Sequence, residues 1–272
     1  MMTPFQSRVA QILGATLQPY GFALGGGQAL QAHKIIDRPS KDLDNYSTSQ
    51  DPDVFDSAER DLVAALREHG LSASVVRRDS WFRQVVVTDP DTGEQVGLDL
   101  GYDYRKKPPV FVSGIGPVLD IDDVVFGKMR ALVDRQAERD YVDTDAILST
   151  GRWTISNLYK IVHEIRPELT EDEFLAVLSS AHEGDPDEFV ALGLTQTDTL
   201  KMFNRLRLAV QQHRQQRNPT SPAPIATLTQ AVTPSPEATR LGSARCSVCG
   251  RPLTSQESIA RGCGPSCAKN LR

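Results

Sequence analysis

Apolar positions along this chain change period, and the changes divide it. From Phe5 to about Tyr20 apolar residues fall at Val9, Ile12, Leu13 and Leu17, the spacing of one face of an amphipathic helix. The stretch "GFALGG" is a short apolar run closed by glycines and predicts a strand. Helical spacing returns from Gln28 to Ile36 through Ala29, Leu30 and Ala32, and "KDLDNYS", from Lys41, predicts a second short strand. A longer helix is expected over residues 51–70, with Asp51 as its cap, Val54, Phe55, Ala58, Leu62 and Leu66 on its apolar side, and Gly70 at its end. Three strands follow: "LSASVVR" from Leu71, "WFRQVVVTD" from Trp81 and "EQVGLDLGYD" from Glu94, the last two joined by the turn-rich "DPDTG". After Pro108 and Pro109 the pattern is helical as far as Arg217. The expected organisation is therefore an α+β domain over residues 1–117 and a helical domain over 118–217.

Beyond Asn218 the composition shifts. Residues 218–244 are rich in Pro, Thr, Ser and Ala with few large apolar side chains, too little to offset the cost of ordering, and predict a flexible linker. Residues 245–272 then form a separate module. All four cysteines of the chain lie there, as Cys246-x2-Cys249 and Cys263-x3-Cys267. Two close thiol pairs suit tetrahedral Zn²⁺, which a module this short needs as a staple in place of a core. Similar small zinc-ribbon-like tails carry a C-x2-C-G-R-x-L and G-x-G-P-x-C pattern.

With 39% hydrophobic residues the chain can fill an ordinary core, and no apolar run reaches the length of a membrane span. The N-terminal residues lack the layout of a signal peptide, so a cytoplasmic protein with no membrane partner is expected. A net charge of −5 excludes nucleic-acid binding by bulk charge alone. An RNA partner would need a local basic patch, for which Arg77 with Arg78, Arg105 to Lys107, and Arg205 to Arg217 are the densest stretches. Each taken alone reads as solvated surface charge.

The most informative chemistry lies in "LGGGQALQAHKIIDRPSKDLDNY". Asp42 and Asp44, two apart on a strand, point to one face, and carboxylates that close need a neutralising partner. Mg²⁺ fits that role, because its sites combine a few carboxylates with waters and substrate phosphate oxygens. Gly26 and Gly27 open a helix after a strand, where a phosphate can approach the backbone unobstructed. A third carboxylate is expected on a neighbouring strand, with Asp99 the first candidate and Asp103 the second. Further on, Lys128, Arg135 and Arg139 recur with Asp140 and Asp143 at roughly helical spacing. They read either as cations facing phosphates with acids that orient them, or as a salt-bridged helix surface.

These two blocks resemble the AbiEii/AbiGii toxin group, which includes the MenT toxins, within the polymerase-beta-like nucleotidyltransferase superfamily. The resemblance rests on "ALGGGQALQAHKIIDRPSKDLD" and "DDVVFGKMRALVDRQAERDYVD", and spans roughly residues 5–215. It implies a mixed sheet with helices followed by a helical domain. It also implies an aspartate pair that binds Mg²⁺ and nucleoside triphosphate, completed by a later strand aspartate, and a lysine that contacts phosphate. Carried over, these are Asp42, Asp44, Asp99 and Lys128. The implied reaction moves a nucleoside monophosphate from a triphosphate to an RNA such as the tRNA 3′ end, in a toxin paired with an antitoxin. Gly26, Gly27, Gln28, Arg38, Ser40, Lys128, Arg139 and Asp140 are the expected nucleotide contacts. Gln28 departs from the Ser or Thr that often follows the two glycines. His33 reads equally as a packed helix residue or a site residue. Transfer to a small molecule or a protein, and a non-catalytic binding protein, are the competing readings.

Overall fold

The computed structural model describes residues 2–217; the linker and the four cysteines expected to hold Zn²⁺ lie outside the described residues. Helix α1 (Pro4–Leu17) starts at a Thr3/Gln6 capping box and continues into a 3-10 turn at Gln18–Tyr20. Strand β1 (Ala23–Leu24) leads into α2 (Gly26–Ala32), which stops short of Ile36 because the chain reverses at Lys34, a residue with φ of 60°. Strand β2 (Asp42–Ser47) is followed by α3 (Pro52–Glu68), capped by Asp51. Strands β3 (Ser72–Asp79), β4 (Phe82–Thr88) and β5 (Gln95–Tyr102) coincide with the three alternating runs.

Two further strands, β6 (Val110–Val112) and β7 (Gly116–Val118), precede the helical half and carry no readable alternation. They form an antiparallel hairpin that joins the sheet through a parallel pairing of Val118 with Leu24. Their fit depends on absent side chains: Gly116 has φ of 106°, and a Cβ on it would lie 2.9 Å from Gly14 Cα of α1. The seven strands run in the order β3-β4-β5-β2-β1-β7-β6. Strands β5 and β2, the third and fourth in that order, are parallel, and β3, β4 and β5 form an antiparallel meander.

One face of the sheet is dry. Leu43, Val85, Val87, Leu98 and Leu100 point towards α1 and α3, where Val9, Leu13, Phe55, Leu62 and Leu66 complete the core. Arg83 is buried on this side beside Phe55, with Glu59 and Asp56 of α3 as its ion partners. Alternate residues of β2 and β5 face the other way, and there the helical half packs.

That half comprises α4 (Ile121–Arg135), α5 (Glu138–Ser149), α6 (Ile155–Ile165), α7 (Glu171–Ser179), α8 (Pro186–Ala191) and α9 (Gln196–Arg217). Helix α4 packs on α2, and α5 packs on α4, so the second sequence block is carried across the sheet to face the first. Helix α8 is too short to show a period in sequence. No helix among the described residues is long and apolar enough to cross a membrane.

Candidate active site

The open face of the sheet and helices α4, α5 and α8 enclose a cleft of about 710 Å³. Its floor is a short ladder of carboxylates. Strand alternation buries Leu43 and Asn45 and leaves Asp42 and Asp44 facing the cleft, and the parallel register sets Asp44 directly beside Asp99 and Asp42 beside Gly97. Glycines make room for both acids. A Cβ on Gly97 would stand 2.5 Å from Asp42 Oδ1, and one on Gly26 would overlap the Asp44 carboxylate. Gly26 also has φ of 60°, so two independent constraints require glycine there. Gly26→Ala is expected to abolish activity by displacing Asp44, even if the variant retains its fold by circular dichroism.

The electrostatics follow from this crowding. Burial pushes the Asp44 carboxyl up, Lys128 opposes that shift, and the neighbouring Asp42 adds to it. Asp99 is likewise raised by burial and then by Asp44 and Asp42, while Gln84 and Arg77 favour its ionised form. Tyr46, beside Asp44 on the floor, is held neutral by burial. Among the described residues no three His, Cys, Asp or Glu side chains converge into a cage for a metal. That openness suits Mg²⁺, which takes one or two carboxylates and completes its shell with water and phosphate oxygens. The paired carboxylates of Asp42 and Asp44 are hard oxygen donors and lie against glycines that leave space, so these two fit such an ion, with Asp99 beside Asp44.

The cations come from above. Asp143 of α5 is fully buried and accepts from Nε and Nη2 of the Arg38 guanidinium at 2.7 Å, and from Lys128 Nζ at 2.8 Å. Burial alone would raise the Asp143 carboxyl, but the charges and hydrogen bonds of Lys128 and Arg38 outweigh it and hold the group below the usual carboxylate range. This clamp fixes Lys128 over the acidic floor. Arg139 is exposed on the cleft wall and makes no ion pair among the described residues. Its charge and that of Arg135 both act on Asp44.

The cleft thus brings together Gly26, Gly27, Arg38, Ser40, Asp42, Asp44, Asp99, Lys128 and Arg139, as the sequence led us to expect. Two expected nucleotide contacts do not reach it. Gln28 is fully buried and donates its amide to Ser40 O at 3.1 Å, where Gln6 Nε2 also donates at 2.7 Å. Its chemistry is to hold the 38–40 loop over α2. Asp140 is buried, binds Arg135 through two hydrogen bonds and accepts from the Ala137 backbone N–H at the start of α5. His33 bonds Leu119 O at 2.8 Å, a packing contact. Asp103 does line the cleft but is paired with Arg130 at 2.6 and 2.9 Å, which leaves Asp99 as the third acid.

Two contributions were missed in sequence. Asp140 and Asp143 were both readable as acids that orient a cation or pair with the arginines, but the link from Asp143 to Arg38, 105 positions away, was not. Glu188 and Ala191 of α8, with Leu192, close the cleft rim with no signal at all.

No curated protein matches the chain. A solved structure of a candidate nucleotidyltransferase from Helicobacter pylori is 15% identical, with 77% of this chain and 95% of that one covered and a TM-score of 0.50. MenT4, a nucleotidyltransferase toxin of Mycobacterium tuberculosis, is 17% identical, with 78% and 88% covered and a TM-score of 0.48. The C-terminal residues 236–272 match a family of unknown function. Residues 11–224, which carry the carboxylate floor, the glycine turn and the cation clamp, match the family of nucleotidyl transferase AbiEii toxins of type IV toxin–antitoxin systems, and the chain belongs to that family as a nucleotidyltransferase.

Proposed function

We propose that the protein transfers a nucleoside monophosphate from a nucleoside triphosphate to the 3′ end of an RNA, tRNA being the leading candidate, with Mg²⁺ held by Asp42 and Asp44. The observation that carries this is the vertical order of the cleft: paired carboxylates below, and the Asp143-clamped Lys128 with Arg139 above. A triphosphate lies between them with its negative oxygens shared by both layers. Bound Mg²⁺ supplies neutralisation of phosphate charge and polarises the reacting oxygens.

The chain's own residues do the rest. Lys128, fixed by Asp143, and Arg139 hold the β- and γ-phosphates. The acceptor hydroxyl oxygen forms a bond to the α-phosphorus while the bond from that phosphorus to the bridging oxygen breaks, and pyrophosphate leaves. The hydroxyl proton passes to Asp99, whose carboxyl is raised by burial and by its two acidic neighbours and so is a better proton acceptor than an exposed aspartate. Gln28 and Gln6 keep the loop carrying Arg38 and Ser40 in place beside the nucleotide.

In this reading residues 1–117 form the catalytic domain and supply the carboxylates, and 118–217 form the helical domain and supply the cations. The C-terminal cysteine module at 245–272 binds structural Zn²⁺. A cognate antitoxin and a cytoplasmic setting complete it. The test is incubation of the purified protein with Mg²⁺, each α-labelled nucleoside triphosphate in turn and total tRNA, followed by a denaturing gel. Label in the RNA band is expected for the wild type and is absent for Asp42→Ala/Asp44→Ala. Label on the protein or on a small molecule, with none on RNA, would overturn the RNA acceptor.

A further inference from the structure

Strand β3 contains a register shift: Val75 pairs with Val85, the next pair is Arg77 with Gln84, and Val76 is left over. This bulge re-aims everything after it. Without the extra residue, Val76 would share the row of Gln84 and Arg77 would fall beside Arg83, on the side covered by α3. With it, Arg78 and Arg83 both bind Glu59 of α3, while Arg77 stands on the opposite, open face.

That placement completes a row across four strands. Arg77 pairs with Gln84, Gln84 with Asp99, and Asp99 with Asp44. The next row on the same face is Asp79, Phe82, Gly101 and Tyr46. The acidic floor therefore runs out of the cleft onto a shelf of β4 and β3 that no described residue covers, where Gln84 and Arg77 are exposed. The Arg77 guanidinium lies over the Phe82 ring at 5.2 Å, and its ion partner Asp79 is itself exposed, a pairing weak enough to be exchanged for a phosphate.

We infer that this shelf is the docking track for the acceptor strand, with Arg77 binding a backbone phosphate of an RNA whose terminal hydroxyl lies at Asp99. The inference rests on the reading given under Proposed function and names a residue for its acceptor half. Two observations favour a polynucleotide end over a compact acceptor. The shelf lies on the side of Asp99 away from Lys128 and Arg139, which serve the triphosphate. Arg77 stands two strand spacings from Asp99, about 10 Å between backbones, so an acceptor touching both must be extended. Arginine is also the cation suited to phosphate oxygens. Gln84, between the two, is a positioning residue that faces the Asp99 carboxylate and favours its ionised form.

The experiment is steady-state kinetics of RNA labelling with the full-length protein, varying total tRNA and nucleoside triphosphate separately, for wild type, Arg77→Ala, Arg77→Glu and Arg77→Lys. Arg77→Ala is expected to raise the KM for RNA about tenfold while leaving the KM for the triphosphate within twofold, Arg77→Glu to raise the RNA KM further, and Arg77→Lys to recover most of the loss. In direct binding, the slope of log affinity against log salt should fall by roughly one phosphate's worth in Arg77→Ala. An unchanged RNA KM in both Arg77→Ala and Arg77→Glu, with RNA still labelled, would overturn the docking track alone. Absence of RNA labelling by the wild type would overturn the RNA reading and this inference with it.

Discussion

Asp44→Asn is expected to abolish nucleotidyl transfer and to leave the protein as stable as before or more so. The loss in kcat is expected to be at least a thousandfold, roughly 4 kcal/mol of transition-state stabilisation, because an amide can neither neutralise a divalent ion nor share the charge of a triphosphate. The stability half of the statement follows from linkage. The folded protein holds the Asp44 carboxyl above its usual range, mainly through burial. It thus binds a proton more tightly than the unfolded chain, and ionisation of this group costs stability at neutral pH. Removing the charge removes that cost. A neutral side chain of the same shape also keeps the contact with Gly26. Thermal denaturation beside a labelling assay checks both halves. An Asp44→Asn protein with a clearly lower Tm would show that the carboxylate is a structural anchor, contrary to this account.

The opposite behaviour is expected of Asp143. Replacing it with alanine leaves Arg38 and Lys128 buried without their counter-charge, a loss of about 3–5 kcal/mol as seen when one partner of a buried ion group is removed. Urea denaturation should show the shift, and activity should fall even in the folded fraction, since Lys128 is no longer held over the floor. The pH dependence carries the reverse sign to that of Asp44. Asp143 is held below the usual carboxylate range, so its contribution is fully present above the unfolded value, about 3.9, and is lost as pH falls through the lower folded value. Wild-type stability in acid should therefore contain a component that Asp143→Ala lacks.

Much of the floor was legible because strands announce themselves by alternation. Asp42 and Asp44 on one face, with Leu43 on the other, are readable from three letters, and so is Asp99 between Leu98 and Leu100. The helical block was legible as a motif, but its division of labour was not. Spacing places Asp140 and Asp143 one helical turn apart and cannot say which of them meets Arg38 and Lys128 and which closes on Arg135. Packing of α5 against α4 decides that, and it assigns the clamp to Asp143. Gln28 was misplaced for a similar reason: its neighbours Gly26 and Gly27 border the cleft, yet helical rotation turns its own side chain inward to Ser40. Strands β6 and β7 have three residues each, too few to alternate, and are held by the Gly14 and Gly116 contact that only the fold reveals. The bulge at Val76 likewise leaves no mark in a run of "SVVRRD", because its signal is the register of the partner strand.

The central claim is that one cleft couples cleavage of a nucleoside triphosphate to modification of RNA. The most direct measurement follows pyrophosphate release and α-labelled nucleotide in RNA in the same tube, for wild type and for Asp42→Asn/Asp44→Asn, with Mg²⁺ and total tRNA. The account predicts one pyrophosphate for each nucleotide incorporated, release that depends on added RNA, and neither product from the variant. Pyrophosphate release that proceeds without RNA, or RNA labelling that survives in the variant, would contradict it.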